Sequence, residues 1–568
     1  MSLFKSNLTN AAANVLAAPV VVPQVLSTDD MLTMSSALVP AVPVHVEGML
    51  RPFQDHQAAA YLYATESIRR YGWFIAGYDM GLGKTQLFLA LIADAIRNGG
   101  YALLIGPPVG KGGYMNDIRK AFPSLRFAHL YGRNPERDNE GNPIVPPADV
   151  YFLSDDALTL KAWLVDHEVP KALPALNSFA SGASIFVRDE IQRDKGNLGK
   201  HTARAKVSHA LGNAMRLARR PVIAATGTLT TNRPIDALLP LQIVGDEQLV
   251  LDVTPGARKV SGFLFRYCDP KQVDAGRNGI KHDFSGTSKS NVLVLHEMLR
   301  RFGYGRVERR DVLGLPDGGW LVVPLALNGV MARYRALSND FLRTVMAEKG
   351  PEAMWRAQSA EALTQMQALW SEAGAAKAPA AVEYVMNLVD QGRKVIVFYS
   401  HDLALAGLRQ GFTDAKVKFI EINGHCTGNK RMAGIEAFQD GTDTMVCLAQ
   451  TQAAGMSVTL TAAADAVYVQ LPWSAGDLAQ SAARNLRSDD ISRARALAGE
   501  NVTWHVLVAR HEDGSETIDD TMWDVLAHKA QVVDAINAGK AITMPDATVH
   551  KMVLQAWYDQ AVASASAA

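Results

Sequence analysis

Ile75-Ala-Gly-Tyr-Asp-Met-Gly-Leu-Gly-Lys-Thr-Gln-Leu-Phe88 decides how this chain is read. An apolar run, Trp73 to Ala76, leads into it, and an apolar-periodic stretch follows through Phe88, Leu89, Leu91, Ile92 and Ile96 until Gly99-Gly100. Strand, glycine loop and helix in that order are the setting a phosphate-binding loop needs. The backbone N–H groups of Met80, Gly81, Leu82 and Gly83 would close around phosphate oxygens at a helix N-terminus, which carries about half a positive charge. Lys84 would reach the β- and γ-phosphates and Thr85 would hold Mg²⁺, with Gln86 beside them. The usual spacing asks for a glycine at position 78, where this chain has Tyr78.

Other stretches fit the same site. Leu50-Arg-Pro-Phe-Gln54 stands just upstream, and the Gln54 amide can both donate to and accept from an adenine edge. Ala102 to Gly106 and Val150 to Ser154 read as short buried strands. Ile185-Phe-Val-Arg-Asp-Glu190 is a β-rich run ending in two acids. At the carboxyl end of a parallel strand those acids face the ligand crevice. Asp189 would hold Mg²⁺ and Glu190 would deprotonate the attacking water. Val222 to Ala225 runs likewise into Thr226-Gly-Thr228. Strands alternating with helices to about residue 250 predict a parallel α/β domain.

The 568 residues allow three or four domain-sized units, and 48% apolar residues give a globular composition. Lys plus Arg balances Asp plus Glu at 57 each, so no molecule-wide field draws the chain to nucleic acid. Three cysteines without metal-ligand spacing fit a reducing, intracellular setting, cytoplasmic if the source is bacterial or viral. No run of 18 apolar residues predicts a membrane span. Residues 1–46, apolar and nearly uncharged, read as a flexible or packing arm, with a weak signal peptide as the alternative.

A second α/β rhythm begins near 380, with strands at 394–400, 419–424, 444–449 and 466–471. Gln480, Arg484 and Arg487 follow at spacings of four and three, which predicts one helix face. Between the two rhythms, Arg300, Arg301, Arg306, Arg309 and Arg310 form a basic stretch that reads equally as a phosphate grip or a solvated face.

These segments together resemble superfamily-two helicases of the Swi/Snf type. The resemblance rests on Leu50 to Gln54, Asp79 to Thr85, Asp189-Glu190 and Thr226-Gly-Thr228 with Asn232. In the second half it rests on Ala454-Gly455 to Ala463, Trp473, Gln480, Arg484 and Arg487. Arg266-Tyr-Cys-Asp269, Asp283-Phe-Ser-Gly286, Asp311-Val-Leu313 with Leu315-Pro316, and Ile518-Asp-Asp520 with Trp523 resemble the HARP-type annealing helicases and their small bacterial and viral relatives. The resemblance implies two tandem RecA-like parallel-sheet lobes, at 47–250 and 379–510, with a mostly helical insertion at 251–378 and a helical extension at 511–568.

It further implies ATP bound with Mg²⁺ at Gln54, residues 80–86, Gln192 and Gly455, and Arg484 and Arg487 acting as arginine fingers. DNA, double-stranded or branched, would lie along Thr228, Asn232, Thr451 and Trp473. Four departures bear on coupling. Gln192 stands where the family has His, Leu229 where proline is usual, Leu486 where His is usual, and Ser488-Asp489 where Ile-Gly is usual. The expected activity is that of a monomeric DNA-stimulated ATPase that translocates on duplex DNA. The alternatives are an ATP-gated clamp that hydrolyses weakly and a remodeller that displaces a DNA-bound protein.

Overall fold

The computed structural model describes residues 27–108, 110–130, 146–159, 180–194, 196–197, 200–274, 280–284, 286–313, 318–326, 360–426, 428–454, 458–487, 489–510 and 517–540. The expected loop at 133–147 lies largely outside that set. So do Gly455, Leu315-Pro316, most of the helical stretch expected at 328–375 and all of 541–568. The chain divides into two units: residues 1–269 with 287–312 and 534–541, and residues 270–286 with 313–533 and 542–568.

The first unit is a seven-stranded sheet with helices. Its elements are α1 (Thr28–Met34), α2 (Asp55–Tyr71), β1 (Trp73–Tyr78), α3 (Lys84–Ile96), β2 (Ala102–Gly106), α4 (Gly110–Ala121), β3 (Phe127–His129) and β4 (Val150–Ser154). β5 (Ile185–Asp189), α5 (Ala203–Leu217), β6 (Val222–Ala225), α6 (Leu238–Asp252), α7 (Ser261–Tyr267), α8 (Lys289–Arg301) and β7 (Tyr304–Val307) complete it. The strand order is β7-β1-β6-β5-β2-β4-β3, and every pairing is parallel. β1, β2 and β5 are buried along their whole length. That matches their continuous apolar runs, because a parallel strand is covered on both faces.

β7 comes from the segment expected as a helical insertion and pairs with β1 in register Ile75 to Tyr304. Gly77 makes the pairing possible: a Cβ there would lie 2.2 Å from the Tyr304 ring. α8, just before β7, ends against aromatic donors. Tyr63 Oη donates to the Arg300 carbonyl (2.6 Å), Tyr71 Oη to Arg301 (3.1 Å) and Trp73 Nε1 to Phe302 (3.1 Å). These satisfy carbonyls that a helix C-terminus otherwise leaves without a partner. The described part of the N-terminal arm is also packed. Ser27 and Asp30 form a capping box on α1, and Arg300 of α8 donates to Ser35 (2.9 Å).

The second unit is built on a six-stranded parallel sheet. β8 (Gly319–Ala326), α9 (Ala360–Val389), β9 (Val395–Tyr399), α10 (Asp402–Asp414), β10 (Lys418–Ile422), α11 (Gly428–Asp440) and β11 (Thr444–Gln450) come first. β12 (Asp465–Tyr468), α12 (Ala475–Ala482), α13 (Asp490–Leu497), β13 (Thr503–Arg510) and α14 (Ile518–Ala538) follow, the last turn of α14 counting with the first unit. The strand order is β8-β13-β12-β9-β11-β10. The expected pair of parallel-sheet α/β lobes is therefore present, and the segment between them supplies one strand to each sheet. Ile396, Phe398, Cys447, Ala449, Tyr468 and Val506 lie in the core on one side of this sheet, Val395, Val397 and Leu448 on the other. Inside it, Lys377 pairs with Asp519 (2.7 Å), both nearly fully buried.

Candidate active site

The strand order sets the site. β1, β6 and β5 are adjacent, so the segments leaving their carboxyl ends, 79–85, 226–228 and 189–192, come out side by side. Ligands of open α/β sheets bind at this end of the strands.

The loop leaving β1 has the backbone expected for cradling phosphate. Gly81 and Gly83 take φ of 87° and 77°, the left-handed region open to glycine, and Lys84 begins α3. A Cβ on Gly83 would lie 2.0 Å from Gln57 Nε2. The loop is braced from α2: Gln57 Nε2 donates to the Leu82 carbonyl (3.2 Å), and His56 Nε2 lies 3.1 Å from the same oxygen. Gln57 Oε1 in turn accepts from the Gln54 amide N–H (3.0 Å). Gln54, half-buried, is thus fixed at the start of α2 through the same residue that braces the loop. Gln86 is placed differently from expectation. Its side chain is buried and donates to the Arg51 and Pro52 carbonyls (2.7 and 3.2 Å). Committed there, it anchors the 51–54 segment.

Tyr78 stands where the usual spacing has glycine. Its side chain is buried, while its carbonyl, at the end of β1, accepts from Lys84 Nζ (2.7 Å). The same ammonium reaches the Asp79 carbonyl (3.4 Å). The Asp79 carboxylate pairs with Arg306 of β7 (2.7 Å) and accepts from the Arg309 N–H (3.0 Å). Burial alone would raise its pKa, but Arg306, Arg309 and Lys84 hold it below the usual carboxylate range.

At the end of β5, Asp189 accepts from the Tyr114 hydroxyl of α4 (2.5 Å) and, through its other oxygen, from the Glu190 N–H (3.0 Å). Burial and the neighbouring Glu190 push Asp189 up to about 6, against the pull of Tyr114 and Lys84. Glu190 has φ 54° and ψ 48°, a left-handed conformation that costs a non-glycine residue about 1–3 kcal/mol. Beneath it Arg188, fully buried, donates to the Asp189 carbonyl and holds Asp194 through two bonds (2.7 and 2.9 Å). Asp155, with Arg193 at 3.0 Å, completes the cluster.

Gln192 joins two of the three segments. Its Nε2 donates to Glu190, and its Oε1 accepts from Thr226 Oγ1 (2.5 Å). The Thr228 N–H donates to that same hydroxyl (3.0 Å). Gln192 is expected on the γ-phosphate, but its amide is used between the candidate base and the 226–228 turn. Thr85 and Asp189 offer hard oxygens of the kind Mg²⁺ takes alongside substrate phosphates. Burial raises the carboxyl of Asp117 of α4, near Thr85, against the pull of Arg51, Lys120 and Thr85.

Further residues escaped the sequence reading. Asn537, in the last turn of α14, accepts from the Leu229 and Thr230 N–H groups (3.1 and 3.4 Å) and so fixes the chain after the 226–228 turn. Proline at 229 would have no N–H to give. Asn232 is held by its own neighbours, with its N–H on Asp236 (2.8 Å). Thr228 and Asn232 are both partly exposed. Within the basic stretch Arg300 donates to Ser35, Arg301 pairs with Glu297 and Asp29, Arg306 with Asp79, and Arg310, half-exposed, with Glu308 (3.0 Å).

In the second unit α12 ends at Ala482, so Arg484 and Arg487 lie beyond the helix and share no helix face with Gln480. They converge instead on one backbone atom, the Val458 carbonyl, with Arg484 Nη1 at 3.4 Å and Arg487 Nη2 at 3.1 Å. Arg484 is 2% exposed. Thr451, expected at DNA, is 1% exposed and donates to the Tyr399 carbonyl (3.1 Å), so its hydroxyl is not presented to a phosphate. Trp473 is partly buried and packs edge-on against Trp370, ring centroids 4.7 Å apart.

Residues 377–489 match the helicase conserved C-terminal domain. The human DNA annealing helicase and endonuclease ZRANB3 is 24% identical over 508 residues, covering 89% of this chain and 42% of that protein. The Xenopus laevis SWI/SNF-related matrix-associated actin-dependent regulator of chromatin subfamily A-like protein 1 is 26% identical over 500 residues, covering 87% and 45%. The chain thus spans about two fifths of the length of these relatives. Among solved structures, the Sulfolobus solfataricus SWI2/SNF2 ATPase core in complex with dsDNA aligns with a TM-score of 0.35 at 16% identity, covering 88% of this chain and 96% of that one.

Proposed function

We propose that this Swi/Snf-type, helicase-like chain of superfamily two is a DNA-dependent ATP hydrolase that moves on duplex or branched DNA. One observation carries the reading. The glycine loop with Lys84, the Asp189-Glu190 pair and the 226–228 turn leave three adjacent parallel strands, and Gln192 ties the last two together. The names of the annealing-helicase and SWI/SNF-related relatives support DNA as the partner.

On this reading Gln54 contacts adenine, the 80–83 backbone and Lys84 hold the phosphates, and Glu190 takes a proton from the attacking water. Thr85 and Asp189 hold Mg²⁺, which neutralises developing phosphate charge when bound. To act as arginine fingers, a device worth about 10³ to 10⁵ in rate, Arg484 and Arg487 must leave the Val458 carbonyl that both engage. A slow ATP-gated clamp is the second reading. Gln192 favours it, because its amide occupies the Glu190 carboxylate that must accept the water's proton.

The test is ATP turnover without DNA and with single-stranded, duplex and forked DNA. The expected result is stimulation by duplex and fork above single strand, weakening with salt as phosphate contacts do. Glu190→Gln should lose turnover by about a hundredfold or more while still binding ATP. Stimulation by single strands alone would remove the duplex-translocase reading, and wild-type turnover in Glu190→Gln would remove the assignment of the base.

A further inference from the structure

Arg306 reaches the phosphate loop from a strand more than 200 residues downstream, and no pattern in the loop itself calls for it. Its side chain is 11% exposed. The guanidinium makes three contacts around the loop's entry: Asp79 Oδ1 at 2.7 Å, the Gly77 carbonyl at 2.9 Å and the Gly227 carbonyl at 3.4 Å. The first two fix the end of β1, and the third fixes the turn that Thr226 and Gln192 connect to Glu190.

The charge matters more than the tethering. Asp79 puts a carboxylate immediately before a loop that must attract a polyanion, in the same residue whose carbonyl lies 3.4 Å from Lys84 Nζ. An unpaired carboxylate there would attract that ammonium and repel a phosphate. Arg's planar fork suits the task, since it can pair with the acid while donating to two carbonyls. We propose that Arg306 is a positioning residue that neutralises Asp79, so that the Lys84 ammonium and the field of the loop remain available to nucleotide phosphates. This rests on the ATP-site reading above and deepens it.

Loss of Arg306 should weaken nucleotide binding, and removing the Asp79 charge as well should restore it, a readout in affinity rather than in stability alone. Affinity for a fluorescent ATP analogue and steady-state KM and kcat should be measured for wild type, Lys84→Ala, Arg306→Lys, Arg306→Met, and Arg306→Met with Asp79→Asn. Arg306→Met should weaken nucleotide binding about tenfold or more, which corresponds to about 1.4 kcal/mol. Arg306→Lys and the double variant should bind within about threefold of wild type. KM should move more than kcat.

The double variant buries no unpaired charge, so it remains decisive if Arg306→Met alone fails to fold. Wild-type affinity in Arg306→Met, or a double variant tenfold weaker than wild type, would overturn the proposal. If the wild-type chain binds no nucleotide, or Lys84→Ala binds as well as wild type, it is the ATP-site reading that fails.

Discussion

Replacing Asp194 by leucine tests whether the cluster beneath Glu190 is held by charge pairing. Arg188 is fully buried, and Asp194 accepts two of its hydrogen bonds. Asp155 also faces Arg188, but it stands 3.6 Å away and is shared with Arg193. Asp194→Leu therefore leaves a buried guanidinium short of its main partner, a loss of about 3–5 kcal/mol for a buried pair broken on one side. Replacing both residues by leucine removes both charges, and such apolar exchanges are often neutral, so Arg188→Leu with Asp194→Leu should recover to within about 1 kcal/mol of wild type. The double variant still lacks the bond from Arg188 to the Asp189 carbonyl. With that bond gone, the left-handed turn at Glu190 is free to relax, and kcat should fall about tenfold, the scale of one hydrogen bond from a charged donor. The assay is urea unfolding followed by hydrogen exchange in the 185–194 peptide, with ATP turnover measured beside it. An Asp194→Leu protein as stable as wild type would refute the pairing argument. A double variant with full turnover would refute the link to Glu190.

Gln192→Leu should cut the bridge between Glu190 and Thr226 and lower kcat about tenfold with KM within about twofold, whereas Gln192→His, able to reach the same two oxygens, should keep wild-type turnover; steady-state kinetics decide. His296 gives a pH dependence. It is buried, its Nδ1 donates to the Ile536 carbonyl (2.9 Å), and burial together with Arg300 and Arg306, against Glu297, pushes its pKa down to about 4. Unfolded, it would titrate near 6.5, so the stability of its neutral form is full above pH 6.5 and is lost as pH falls from 6.5 to 4, by about 3 kcal/mol. The difference between wild type and His296→Gln in urea unfolding at pH 7.0, 5.5 and 4.5 should shrink over that window, and a constant difference would show that His296 does not carry the effect.

What the sequence discloses about this site is what lies in contiguous runs. The glycine loop, the paired acids and the Thr-Gly-Thr turn each end a fully buried, mostly apolar strand, so their place at the carboxyl end of a parallel sheet is readable from order alone. The residues that hold them are single side chains from distant segments. Tyr114 on Asp189, Arg306 on Asp79 and Asn537 on Leu229 have no periodicity and no local partner that would announce them. The arginines after Gln480 show the converse error. Spacings of four and three satisfy a helix, but spacing says nothing about where the helix stops. Here Ser474 caps a short helix, the chain turns at Ala483, and Asn485 takes up the Ala464 carbonyl and the Trp504 indole N–H (3.3 and 3.1 Å).

Leu229 shows how a departure from a family pattern can be physically informative. A proline there would fix the backbone through its ring and donate nothing. Leucine restores an N–H at a buried position, and a buried donor without an acceptor costs about 1–3 kcal/mol. Asn537 supplies the acceptor and takes the Thr230 N–H as well. The loss of ring rigidity after the 226–228 turn is thus offset by a side chain from α14, some 300 residues away. Leu229→Pro and Asn537→Leu should each disturb the turn, but for opposite reasons: the first removes the donor, the second the acceptor. Their combination removes both, so its effect on stability should be smaller than the sum of the two, which equilibrium unfolding of the three variants would measure directly.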